Sequence, residues 1–87
     1  MNIPVELFGI PRQRAGVART TAEGTRLGEV LADLACRFPK LAETCIESTR
    51  LRPGYVANLD GRRFVTDPQT PLAEGETLLI LSADAGG

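Results

Sequence analysis

The sequence predicts an α+β fold in which a mixed sheet of four to five strands packs on one main helix. Three observations lead there. One stretch carries an apolar stripe at helical spacing, several short stretches alternate apolar and polar residues, and a near-continuous apolar run, Thr77 to Leu81, comes late in the chain. An amphipathic helix must bury its stripe, and here the strands supply the partner surface. A chain of 87 residues fits one domain. A domain of that size buries only about 60% of its unfolded surface, so its core must be economical.

Taken in order, Ile3 to Phe8 alternates at period two and reads as a strand, with Pro4 in mild conflict because proline cannot donate to a ladder. Gly9 to Arg12 reads as a turn, and Ala15 to Thr21 as a second strand forming a hairpin with the first. Leu27, Val30, Leu31, Leu34, Ala35 and Phe38 then recur at helical spacing. Thr25 is placed to cap this helix, Glu29 suits its positive end, Gly28 weakens it, and Pro39 stops it. Leu41 to Ile46 suggests a further helical turn, and Ser48 to Gly54 a loop. Tyr55 to Leu59 and Arg62 to Val65 form a predicted hairpin around Asp60-Gly61, a pair suited to the two positive φ angles of a type I′ turn. Residues 67 to 76 are turn-rich. The run Thr77 to Leu81 is expected to be buried on both faces, hence central in the sheet and beside the first strand. If those two strands run parallel, the intervening chain supplies the crossover, and the arrangement is a β-grasp (ubiquitin-like) roll. Residues 1–82 are then the domain and residues 83–87 a tail.

Composition narrows the function classes. A net charge of −1 gives no bulk pull toward nucleic acid or an anionic membrane. There is no apolar run of transmembrane length and no leader pattern, so a cytoplasmic location is expected. Arg12, Arg14, Arg19, Arg50, Arg52, Arg62 and Arg63 leave two readings open: scattered solvated side chains, or one basic face for an acidic partner. The chain has no histidine, which removes Ser-His-Asp and Cys-His catalysis and makes a zinc site at Cys36 and Cys45 a poor fit. Cys36 is expected to be a small buried hydrophobe and Cys45 a silent thiol. No glycine pattern matches a phosphate cradle. The inventory does not describe an enzyme, and no bound cofactor or metal is expected.

The chemistry is carried by the end of the chain. An apolar strand runs into Ser82-Ala83-Asp84-Ala85 and stops at Gly86-Gly87. Glycine has no Cβ, so a diglycine end can thread a narrow channel. A terminal carboxylate becomes a good electrophile once it is converted to an acyl-adenylate, which a partner enzyme could do with ATP. A frayed end of no consequence is the plainer reading of two terminal glycines taken alone.

In the order and spacing of several stretches the chain resembles the ThiS/MoaD family of sulfur carriers. The stretches are Val5-Glu6-Leu7-Phe8-Gly9 with Arg12, Thr25 to Leu34 ending in Phe38-Pro39, Val56-Ala57-Asn58, Pro71 to Leu78, and Gly86-Gly87. The resemblance implies that a ubiquitin-activating-type enzyme adenylates Gly87, with Gly86 beside it, and that a thiocarboxylate formed there donates sulfur to a biosynthetic acceptor. It also implies docking through the open sheet face, with Phe8 and Leu59 as candidates. Arg12 is implied to pair with an acidic group of the activating enzyme. Asp84 and Ala85, just before the diglycine, complete the expected partner-binding set. Asp84 departs from the family's usual residues there, and the 46–54 loop is long for a thiamine-type carrier. Asp84 leaves open which activating enzyme and which acceptor fit, and the long loop favours a molybdopterin-type carrier or one serving cysteine or specialised-metabolite pathways. The free protein is expected to be a monomer. The alternative is a protein modifier joined through Gly87 to target lysines. A third is an interaction module with an irrelevant tail.

Overall fold

In the computed structural model the described residues are 1–83. Seven strands and three helices are found among them: β1 (Asn2–Leu7), α1 (Gly9–Ala15), β2 (Arg19–Glu23), α2 (Leu27–Arg37), α3 (Pro39–Cys45), β3 (Ile46–Glu47), β4 (Arg50–Leu51), β5 (Tyr55–Leu59), β6 (Arg63–Val65) and β7 (Leu78–Ser82). The main sheet has the order β2-β1-β7-β5-β6, and β3 and β4 pair as a separate small hairpin. The strand β7 sits in the middle, parallel to β1 and antiparallel to β5. This is the β-grasp arrangement expected from the sequence, with α2 as the crossover helix.

The core lies between the sheet and α2. Val30, Leu31 and Leu34 of α2 meet Ile3, Val5 and Leu7 of β1, Ala57 and Leu59 of β5, and Leu78 and Ile80 of β7. Leu41 and Cys45 of α3 close one end. Because side chains alternate along a strand, the same register turns Glu6, Leu79 and Asn58 to the opposite face.

The start of α2 shows how the chain satisfies its orphan donors. The cap is Arg26, with no side-chain capping bond. The 66–72 loop supplies acceptors instead: the Leu27 N–H donates to the Thr70 carbonyl and the Gly28 N–H to the Pro68 carbonyl, at 3.0 and 2.9 Å. Gly28 is what permits this, since a Cβ there would lie 2.9 Å from Pro68 Cβ. The glycine that weakens the helix intrinsically thus lets the loop close on it. Thr25 does not cap by accepting, as expected from sequence. Its N–H and its hydroxyl both donate to Glu29 Oε1, at 2.7 and 3.0 Å. The Thr25 N–H bond is the main reason the Glu29 carboxyl is held below its ordinary range, and the hydroxyl bond adds to it.

Several elements differ from the sequence reading. Residues 9–15 are a helix, not a turn leading into a strand. Pro11 sits in its first turn, where no N–H is needed, and is buried against the body of the protein. The second strand consequently starts four residues later, at Arg19. It still pairs antiparallel with β1. Its outer edge is occupied: the Glu23 N–H donates to Asp33 Oδ2 at 2.9 Å, and Arg37 donates to the Thr21 carbonyl. Part of the expected 48–54 loop is the second strand of the small hairpin. The turn at Asp60-Gly61 has positive φ at both residues, 57° and 71°. Strand β7 is buried on one face only, with Leu79 and Leu81 half-buried on the other. Cys36 is exposed, not buried, while Cys45 is buried and burial pushes its thiol pKa up.

Candidate functional site

Strand β7 ends beside β1 and β5, and three features fix the position of that end. The Phe8 N–H donates to the Ile80 carbonyl at 3.0 Å, tying the end of β1 to β7. The Ala83 N–H donates to the Gly54 carbonyl at 2.7 Å. Ser82, paired with Tyr55, is buried beside Gly9, where a Cβ would stand 3.8 Å from Ser82 Oγ. The last described residue is therefore held by the loop before β5, and Asp84, Ala85, Gly86 and Gly87 lie outside the described residues.

The second part of the site is the sheet face that no described helix covers. The strand registers set Arg19, Glu6, Leu79, Asn58 and Phe64 in one row across all five strands. Leu81 and Val56 pair in the next position toward the exit of β7. Phe64 is 67% exposed and Phe8 42%. The face thus presents an apolar band flanked by Glu6 and Arg19 at the β1–β2 side. A shallow hollow in it is lined by Glu6, Phe8, Asp60, Gly61, Thr77 and Leu79.

The expected docking residues fall as follows. Phe8 is on the surface at the junction of β1 and α1, beside the exit of β7. Leu59 is a correction: it belongs to the core, 1% exposed, because Ala57 and Leu59 share the inner face of β5. Arg12 lies exposed on α1 and makes no ion pair among the described residues, so its guanidinium is available to a partner. The arginines divide between two ends of the sheet. Arg14 and Arg52 both act on the Cys45 thiol, near where β7 ends, while Arg62 and Arg63 follow the Asp60-Gly61 turn at the other end. These four arginines therefore do not form one cluster. Sequence reasoning missed Leu79, Phe64 and Asn58. No alternation marks Leu79 or Asn58, since Leu79 lies in a continuous apolar run and the apolar residues around Asn58 fall on both parities.

A five-stranded mixed sheet, central last strand and single crossover helix define a ubiquitin-like β-grasp protein. The chain is 30% identical to the sulfur carrier protein CysO of Mycobacterium tuberculosis, covering 100% of both chains. Among solved structures it is similar to SAMP1 from Haloferax volcanii, with a TM-score of 0.80 and 18% identity over 100% of each chain. It is also similar to a chain in the Amycolatopsis orientalis BexX/CysO complex, with a TM-score of 0.79 and 22% identity, covering 98% of this chain and 99% of that one. The ThiS family model matches residues 5–87, and the chain belongs to that family, the ubiquitin-like sulfur carriers.

Proposed function

We propose that this protein carries sulfur on its own C-terminal carboxylate and acts as a co-substrate of partner enzymes, performing no catalysis itself. The observation that carries the reading is the central β7, whose end is pinned at Ala83 to Gly54 with Gly86-Gly87 a few residues beyond. Four residues past Ala83 reach at most about 14 Å when extended. An enzyme acting on Gly87 must therefore approach the exit of β7 closely, and the open face and Arg12 are where it grips.

The steps follow from carboxylate chemistry. A carboxylate oxygen of Gly87 attacks the α-phosphate of ATP held by a ubiquitin-activating-type enzyme, and pyrophosphate leaves. Sulfide, as HS−, then adds to the acyl carbon and AMP leaves, giving a thiocarboxylate. The thiocarboxylate sulfur bonds to an electrophilic carbon of the biosynthetic acceptor, and water then cleaves the acyl–sulfur bond, leaving the sulfur on the acceptor and restoring the carboxylate. Glycine at the last two positions leaves the reacting carbonyl without a side chain to obstruct the nucleophile. ATP is used by the partner, and the carrier itself holds no cofactor. We place the protein in the cytoplasm with an acceptor of the molybdopterin type or of a cysteine or specialised-metabolite pathway. The modifier reading shares the adenylation and differs only in using a lysine amine as nucleophile. The full-length identity to a sulfur carrier supports sulfur.

The test is pyrophosphate exchange. With the adenylating enzyme of the same organism, ATP and labelled pyrophosphate, the full chain should support exchange into ATP. A chain ending at Gly86 should reduce exchange by at least about 10³-fold, because the reacting carboxylate is displaced by one residue from the channel that aligns it. Equal exchange by both chains would remove Gly87 from the chemistry.

A further inference from the structure

We propose that Asn58 is a specificity-determining residue of the open face, one that requires an uncharged hydrogen-bond acceptor on the partner surface covering it. The inference rests on the reading of that face as the docking surface. Asn58 stands in the middle strand positions of the face, with Leu79 directly opposite on one side and Phe64 on the other. It is 6% exposed. Its Oδ1 is enclosed without a donor, and its Nδ2 makes no hydrogen bond among the described residues.

An asparagine is a poor choice here for the fold alone. Strand positions between two apolar neighbours favour β-branched or larger apolar side chains, and asparagine is depleted in strands. A buried amide without partners costs stability that an apolar residue of similar size would not. Ser82 is the other buried polar residue with an orphaned oxygen, but it lies on the inner side of β7. Among the described residues, Asn58 alone places such a group on the open face.

Docking converts this defect into discrimination. A partner that covers the face removes the last solvent contact of the amide. If the covering surface is purely apolar, both ends of the amide are left unpaired. If it carries an acceptor at that point, the Nδ2–H bond offsets part of the loss. Sites built around a buried polar group reject partners that lack the matching group more strongly than apolar contact alone can. The acceptor is uncharged, because Leu79 and Phe64 flank the amide and a partner carboxylate buried between these apolar side chains would lose its water. Glu6 lies across Leu79 and makes no ion pair among the described residues, and Asp60 follows two residues on in the same hollow. A backbone carbonyl or hydroxyl fits, whereas a partner carboxylate would meet like charge.

The experiment uses the full chain with the adenylating enzyme of its organism and reads KM and kcat for the carrier in pyrophosphate exchange, alongside the thermal midpoint. Asn58→Leu should raise KM about tenfold with kcat within about twofold, and leave the midpoint unchanged or higher. Asn58→Asp should raise KM at least as far, since it replaces the donor with a second acceptor. Three results would overturn the proposal. A KM within about twofold of wild type for Asn58→Leu means that the amide is not read. A KM for Asn58→Asp below wild type means that the partner offers a donor. A midpoint for Asn58→Leu lowered by more than about 5 °C assigns the residue to the fold. Leu79→Asp separates the two levels. If it raises KM while Asn58→Leu does not, only the Asn58 inference falls. If it leaves KM unchanged, the face does not dock and both fall.

Discussion

Replacing Leu79 with aspartate should leave a folded protein that its adenylating enzyme no longer engages. Leu79 is half-buried at the centre of the open face, between Glu6 and Asn58. In the free protein a carboxylate there reaches water, so the fold loses little. When a partner covers the face, the same carboxylate is taken out of water beside Glu6 with no counter-charge. Leaving a buried charge uncompensated costs roughly 3–5 kcal/mol, which is a loss of about 10²- to 4 × 10³-fold in affinity. Titration calorimetry against the adenylating enzyme should show that loss, while circular dichroism stays at the wild-type spectrum. Affinity within about tenfold of wild type would mean that the enzyme holds this protein elsewhere.

Truncating Leu34 to alanine should have the largest effect on the fold. Leu34 is fully buried on the inward face of α2, against the sheet. Large-to-small changes at such sites cost about 2–5 kcal/mol, because the cavity closes only partly. In a domain of this size each 1 kcal/mol moves the midpoint by roughly 4–8 °C. A fall of about 8–40 °C in thermal denaturation is therefore expected. A fall of only a degree or two would place the helix stripe outside the core.

The stripe containing Leu34 is also the part of the fold most legible in the sequence. An 11-residue helix repeats its apolar positions often enough to reveal its period, and the 7-residue α1 does not. With Gly9, Pro11 and Gly16 in and around it, α1 reads as a turn. The glycines bound it at positive φ, and the proline is tolerated because the first turn donates no bonds. The β5–β6 hairpin was legible because Asp60-Gly61 has few conformational options. The central place of β7 followed from its apolar run, but the sidedness did not. In Val56-Ala57-Asn58-Leu59 the apolar residues fall on both parities, so only the register with β7 decides which face each one meets. That is why Leu59 is read as a docking residue from the sequence and is found in the core, one position from Asn58, which does face outward. Closure of the 66–72 loop on Gly28 was illegible for another reason: it joins segments about 40 residues apart, and no local pattern records it.

One carboxylate carries the sulfur chemistry: that of Gly87, which follows β7 in a chain of the ThiS family and lies outside the described residues. The most direct measurement is the intact mass of the protein after incubation with its adenylating enzyme, ATP and a sulfur source. Exchange of one terminal oxygen for sulfur should add roughly 16 mass units, confined to the C-terminal peptide and absent from a chain lacking Gly87. An unchanged mass, under conditions where the enzyme demonstrably consumes ATP with this chain, would contradict the sulfur-carrier account.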